Sequence, residues 1–217
     1  MIRTIDFNSL ATGETVTDQY SDIGVRIVTA GTPPGEDQAM IFDTNNPTGG
    51  DDDLATDNLD NVLIISEDGD ATDPDDNATG GAINFEFDSP VLVKSLTFLD
   101  LETEARVLFF GEDGSLISEQ VVPPNGDNGQ AVVQFNVPGT VRFEVELQES
   151  GAIDNLVFDD NTVVPTGDGI VSGDDSDNLI DLAYTGDPEG DRIDAGDASI
   201  AGEAADDDIV DELGGND

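Results

Sequence analysis

Apolar residues recur at every second position through much of the first 160 residues, and no segment longer than ten carries a helical stripe. Ile83, Phe85 and Phe87 share one side of a run whose other side is Asn84 and Glu86. Val141, Phe143, Val145 and Leu147 repeat the pattern against Arg142, Glu144 and Glu146. Side chains alternate across a strand with period two, so each run buries one face and wets the other, the mark of antiparallel sheet. Strands are expected at 2–7, 24–29, 39–42, 61–66, 82–87, 91–99, 105–110, 116–122, 131–137, 141–147 and 152–158. Turn sequences separate them, among them Glu112-Asp113-Gly114, Asn125-Gly126-Asp127-Asn128-Gly129 and Pro138-Gly139. About eleven short strands at this spacing predict an all-β chain, an antiparallel β-sandwich of jelly-roll-like form.

Charge narrows the function. The 217 residues hold 50 Asp and Glu against six Lys and Arg, a formal net charge of −44. A polyanion is repelled by nucleic acid and by an anionic membrane surface, so neither is expected as a partner. There is no His and no Cys, which removes Ser-His and Cys-His nucleophiles, thiolate zinc sites and disulfides. No stretch approaches 18 apolar residues, so no helical span of a bilayer is expected. Apolar residues still make up 36% of the chain, enough to bury a core in a domain of roughly 150 residues. A halophile's surface would give similar arithmetic. The distribution differs, however: Asp crowds into Gly/Asn/Thr-rich turns, while Glu86, Glu144 and Glu146 lie inside strands. Asp in Gly-rich loops points to turns and to hard-cation ligands.

Two long loops concentrate these residues. They flank the strand at 61–66 and so leave it at opposite ends, and long loops in a compact domain are usually functional or mobile. The second loop offers Glu67, Asp68, Asp70, Asp73, Asp75 and Asp76 within ten residues, and the first offers Asp43, Asn45, Asp51 and Asp53. Calcium takes six to eight oxygens at roughly 2.3–2.6 Å, and Asp-x-Asp spacing with Gly lets a chain wrap it. The spacing is not that of an EF-hand. Solvated acidic loops are the alternative.

The start of the chain, MIRTIDFNS, lacks the charged n-region and apolar h-region of a secretory signal. Three readings follow: the protein stays in the cytosol, leaves by a route that reads another signal, or has had its leader trimmed away. Composition shifts after Asp159. A sandwich domain is expected over 1–160, a linker over 161–168 and an acidic tail over 169–217.

In the tail, Gly173-Asp174-Asp175-Ser176-Asp177-Asn178-Leu179-Ile180-Asp181 has the rhythm of a Gly/Asp nonapeptide. So do Gly190-Asp191-Arg192-Ile193-Asp194-Ala195-Gly196-Asp197 and Asp206-Asp207-Asp208-Ile209-Val210-Asp211. These segments resemble the hemolysin-type calcium-binding (RTX) repeats, of pattern G-G-x-G-x-D-x-U-x. The resemblance implies a parallel β-roll in which Asp carboxylates of successive turns, here Asp177, Asp181 and Asp194, hold calcium. It also implies type I secretion and an extracellular or cell-surface setting. The copies depart from the pattern: Ser176 stands where Gly is wanted, and Glu212-Leu213 where a small residue and Gly are. Stacked repeats need about three neighbours, so only a partial or irregular roll is expected, with its continuation beyond residue 217.

The ends of the sandwich carry a second resemblance. Ile5-Asp6-Phe7, Gly13-Glu14, Tyr20 and Gly24-Val25 at the start, with Ala152-Ile153-Asp154-Asn155-Leu156-Val157-Phe158 at the close, look like those of secreted jelly-roll modules. Such modules include carbohydrate-binding domains. The resemblance implies a structural calcium held by Asp154 on the last strand, with Asp6 the nearest carboxylate on the first.

Together these features lead to an expectation of a secreted, calcium-binding, non-catalytic sandwich within a larger RTX-type protein. Its role would be binding or adhesion, with glycans and cell-surface proteins the partners considered. Sugars usually stack on an exposed aromatic ring. Trp is absent and Tyr is limited to Tyr20 and Tyr184; Phe109-Phe110 puts one ring on each face of its strand and so leaves one ring open to exposure, but the scarcity of aromatic rings counts against sugar binding. The rivals are a surface-layer component without a small ligand and a halophilic acidic protein. Catalysis would have to rest on carboxylates alone, and no motif ties a pair of them to a pocket.

Overall fold

The computed structural model describes residues 1–30, 38–160, 170–173, 179–181, 184, 187, 191–193 and 209–211. The chain divides into two compact units, Met1–Thr162 and Val163–Asp217. The first is an antiparallel β-sandwich with nine strands among its described residues: β1 (Ile2–Ile5), β2 (Val25–Ala30), β3 (Gln38–Asp43), β4 (Asn61–Ser66), β5 (Gly81–Leu99), β6 (Ala105–Phe110), β7 (Leu116–Val122), β8 (Gln130–Leu147) and β9 (Ala152–Asp159). The only helical segments among the described residues are 3-10 turns at Ser21–Ile23 and Asp52–Leu54.

Four expected strands merge into two. The runs at 82–87 and 91–99 are one strand, β5, and those at 131–137 and 141–147 are one strand, β8. Asp88-Ser89-Pro90 and Pro138-Gly139 look like turns, yet the two chains bend there side by side. Their register shifts between Glu86 and Val91, and pairing then resumes at Val91 opposite Thr140. The bend lets one continuous sheet form both layers, since strands change layer at bulges and corners. The first half of β5 lies between β2 and the second half of β8, and its second half lies between β9 and the first half of β8. The path of neighbours is β3-β4-β9-β5-β8-β6-β7, with β1 added to β9 and β2 to β5.

The main core fills the space between the layers. Phe85 stacks on Phe143 at 4.5 Å between ring centroids, and Phe109, Phe98, Ile153 and Phe158 are buried with them. A second, smaller cluster lies apart from it: Met40, Phe42, Val62, Ile64, Leu99 and Ala152 from the strands, with Leu54 and Leu59 from the 43–60 loop. The two clusters take alternate residues of the same strands, Ile41, Leu63 and Ile153 in one and Met40, Ile64 and Ala152 in the other. The β3-β4-β9-β5 layer is therefore apolar on both faces. Leu54 and Leu59 explain why the long 43–60 loop lies down on this sheet, because each buries apolar area worth about 2 kcal/mol.

In the second unit β10 (Ile170–Ser172) pairs in parallel with β11 (Ile209–Asp211). Buried Asp187 accepts the N–H groups of Ser172 at 2.7 Å and Asp191 at 2.9 Å. The expected linker, Asp177 and Asp194 lie outside the described residues.

Candidate metal centre

β9 carries two strands in tandem along one edge. Leu63 and Ile64 of β4 pair with Ile153 and Ala152, while Ile5 to Ile2 of β1 pair with Leu156 to Asp159. The end of β1 and the start of β4 therefore meet head to tail opposite Asp154-Asn155. On the other edge β9 bulges: Thr97 and Ser95 of β5 oppose Asp154 and Val157, three residues of advance against two. Asn155, next to Asp154 in this advance, is left-handed, φ 49°. Phe7 (φ 55°) and Asp60 (φ 58°), at the two abutting strand ends, are left-handed as well.

Asp154 sits in this junction, with 1% of its surface exposed. Its Oδ2 accepts the Asn155 side-chain amide at 2.7 Å, and its Oδ1 is buried without any hydrogen-bond partner. Burial pushes its carboxyl up to about 8, and the neighbouring charges of Asp6 and Asp60 push the same way. Asp6 is exposed at the end of β1, where it accepts the Asn8 N–H at 3.2 Å. Asp60 accepts the Asn45 side-chain amide at 3.0 Å, and the N–H of Asn61 next to it donates to Asn8 Oδ1 at 2.9 Å. Asp60 was not read from the sequence as a site residue, because only the β1-β4 junction brings it near Asp154.

The two acidic loops leave β4 at opposite ends, and they meet again. The 43–60 loop runs back along the sheet face until Thr48 Oγ1 donates to the Pro74 carbonyl at 2.6 Å, Gly49 N–H to Asp73 at 2.9 Å, and Asp76 N–H to Asp51 at 2.8 Å. Gly49, at φ +68°, is packed so closely that a Cβ there would stand 2.2 Å from the Cβ of Asp75. Asp76 is 7% exposed and accepts the Gly151 N–H at 2.6 Å. Burial pushes its carboxyl up to about 7, with Asp51, Asp100 and Asp53 adding to the rise. Half-buried Asp75 has a buried Oδ1 with no partner. Burial raises its carboxyl as well, with Asp68, Glu67, Asp51 and Asp73 contributing.

The remaining residues expected from the sequence are spread out. Asp43 closes its own turn, accepting Asn45 N–H and the Asn46 amide. Asp68 accepts Asp70 N–H, and Asp70 accepts the Thr72 N–H and hydroxyl. Glu67 is exposed, Asp53 is half-buried beside Leu54, and Asp181 is exposed with its carbonyl accepting the Tyr184 N–H. Among the described residues, no three carboxylates stand close enough, as placed, to hold one ion between them. Among the described residues, no ion pair compensates the acids of the two loops or of the β1-β4 junction. Arg3 pairs with Asp160, Arg26 with Glu86, Arg106 with Glu119 and Glu146, and Arg142 with Glu144. None of these acids belongs to the two loops or to the β1-β4 junction.

Neither ring of the Phe109-Phe110 pair is fully exposed. Phe109 is buried, and Phe110 is half-buried under the Arg142 guanidinium, 3.6 Å from its ring centroid.

No family model matches the chain, and no curated protein matches it. Solved structures similar to it include the family 32 CBM from C. perfringens NanJ in complex with galactose, at 12% identity and TM-score 0.35, covering 67% of this chain and 98% of that one. The lectin domain of lectinolysin complexed with Lewis B antigen is similar at 12% identity and TM-score 0.30, over 41% of this chain and 70% of that one. A Streptococcus pneumoniae fucose binding module is similar at 8% identity and TM-score 0.31, over 46% and 72%. Likenesses of this size say nothing of what this chain binds.

Proposed function

We propose that the sandwich is a calcium-binding, non-catalytic module of an extracellular or cell-surface protein, and that it engages glycans or surface proteins once calcium has ordered it. The observation that carries the calcium reading is the Oδ1 of Asp154, buried without a donor where β1, β4 and β9 meet. An ionised carboxylate taken out of water without a partner costs several kcal/mol. No Arg or Lys relieves Asp154, and its carboxylate neighbours Asp6 and Asp60 add charge of the same sign. A divalent cation reverses that balance.

Calcium suits the surroundings better than magnesium. It accepts irregular sets of carboxylate and main-chain oxygens, whereas magnesium demands near-ideal octahedral geometry and holds its waters. Asp154 would supply the buried ligand, Asp6 and Asp60 would close in from the two strand ends, and main-chain oxygens and water would complete the shell. Bound there, the ion ties together the first strand, the last strand and the root of the 43–60 loop. The sequence likeness of the tail to RTX repeats supports an extracellular setting and type I secretion. In a calcium-poor cytosol the acidic segments would repel one another, and millimolar calcium outside would convert binding energy into folding energy.

Thermal unfolding of the full chain tests this reading, in EGTA, in calcium, and in magnesium or sodium at matched ionic strength. A calcium-specific rise in midpoint that Asp154→Asn diminishes supports it. Equal midpoints in calcium and matched sodium overturn it and leave salt adaptation as the account of the charge. A glycan array run with calcium and with EGTA tests the ligand class, and binding lost in EGTA is the expected outcome.

A further inference from the structure

A second buried carboxylate borders the small apolar cluster. Asp100 follows Leu99 at the end of β5 in a left-handed conformation, φ 60°, and is 1% exposed. Its Oδ1 accepts the Asn128 N–H at 2.8 Å, and its Oδ2 is buried with no partner. Asn128 is itself left-handed, φ 54°. Its side-chain amide donates to the carbonyls of Asp52 at 3.3 Å and Ala55 at 3.0 Å. One asparagine thus holds the Asp100 carboxylate and the carbonyls of the 52–55 turn around itself. Asp53, in the middle of that turn, is the foremost charge acting on Asp100. Asp76 approaches from the second loop through Gly151, whose N–H it accepts. A Cβ on Gly151 would stand 3.4 Å from the Asp100 carbonyl.

We propose that the unpartnered Oδ2 of Asp100 marks a second divalent-cation site, in which Asp100 and Asp53, with main-chain oxygens of the 52–55 turn and water, hold calcium and clamp the 43–60 loop to the end of β5. The surroundings supply oxygen donors alone, which a hard cation prefers. The clamp complements the hydrophobic attachment of the loop: Leu54 lies directly beside Asp53 and is fully buried, so the same turn is held by its apolar residue on one side and by the ion on the other. Leu99 and Ala152 of the apolar patch pair across the sheet; Asp100 follows the one along β5 and Asp154 lies two residues beyond the other along β9, so both carboxylates border the patch that the loop covers. The site stands on its own geometry and shares with the reading above only the choice of ion.

The test counts calcium bound to the full chain by equilibrium dialysis, and follows loop protection by hydrogen exchange, for wild type, Asp100→Asn, Asp53→Asn and Asp154→Asn. Because other acidic segments can bind calcium weakly, the readout is the difference from wild type. Asp100→Asn and Asp53→Asn should each lower the number of tightly bound ions by one. Each should also remove a tenfold or greater calcium-induced protection of amides 51–58, while protection at 5–8 and 60–62 persists. If Asp100→Asn leaves both the count and the protection at wild-type values, the Oδ2 is satisfied by water or a proton and the proposal fails. Loss of an ion in Asp154→Asn alone would uphold the first site and overturn the second. Loss in Asp100→Asn and Asp53→Asn alone would do the reverse.

Discussion

Asp154→Asn should stabilise the calcium-free protein and weaken its response to calcium. The carboxyl of Asp154 lies at about 8 in the folded chain against an ordinary 3.8, so at pH 7 folding must place a proton on it. Each pH unit of that displacement is worth about 1.4 kcal/mol, which makes the burden roughly 4 kcal/mol at pH 7. Asparagine keeps the shape and can keep the bond from the Asn155 amide, but it buries an N–H2 that needs an acceptor, costing about 1–3 kcal/mol. The net gain in EGTA is on the order of 2 kcal/mol, or about 4–8 °C in midpoint for a chain of this size. In calcium the wild type gains by mass action, about 2.7 kcal/mol when calcium is 100 times the Kd, and the variant does not gain it at this site. The wild type should therefore overtake or match the variant once calcium is added. Differential scanning calorimetry of both proteins in EGTA and in millimolar calcium reads all four midpoints. A variant that is less stable than wild type in EGTA, or that keeps the full wild-type calcium increment, would refute the reasoning.

Other outcomes follow from the same arrangement. Without calcium, stability should fall as pH rises from about 4 to 8: folding raises Asp154 to about 8, Asp76 to about 7 and Asp100 to about 6. The folded state therefore keeps protons the unfolded chain has released. Urea midpoints at pH 5 and pH 8 measure this, and calcium should flatten the slope. Leu54→Ala should cost about 2–3 kcal/mol and expose amides of the 43–60 loop to exchange before those of β5 and β8, since Leu54 belongs to the small cluster alone. Gly49→Ala forces a Cβ to within 2.2 Å of Asp75 at a positive φ; it should cost about 1–3 kcal/mol and speed proteolysis within the two loops. Asp70→Asn should leave the calcium response unchanged, because the carboxylate serves the Thr72 turn at an exposed position, and calcium titration of that variant checks it.

The strands were largely legible because a half-buried strand writes its own period. The runs at 61–66, 105–110 and 116–122 coincide with β4, β6 and β7. β5 and β8 were read as four pieces because Pro90 and Pro138-Gly139 carry turn chemistry. Whether such a sequence ends a strand or bends it depends on a partner bending alongside, which is a tertiary fact. The sheet site was legible in part. Asp154 stood out as an acid in the apolar run AIDNLVF, and it is buried. Asp100 carried the same signal, since it interrupts the apolar residues Phe98, Leu99 and Leu101, but it reads locally as the polar end of a strand. Asp60 and Asp76 could not be told from their acidic neighbours. Their burial or placement comes from β1 meeting β4 and from Gly151 meeting the second loop, contacts 53 and 75 residues apart in the chain. Conversely, Asp43, Asp68 and Asp70 fit a ligand pattern and are used by their own turns, because an Asp-x-x sequence satisfies its nearest N–H first.

The most direct measurement of the calcium account is a crystal structure of the full chain grown in millimolar calcium, with anomalous data to identify the ion. The expected result is a peak about 2.3–2.6 Å from the Oδ1 of Asp154, with Asp6 or Asp60 drawn into its shell. An ordered water donating to that oxygen, with no anomalous peak at the β1-β4 junction in saturating calcium, would contradict the account.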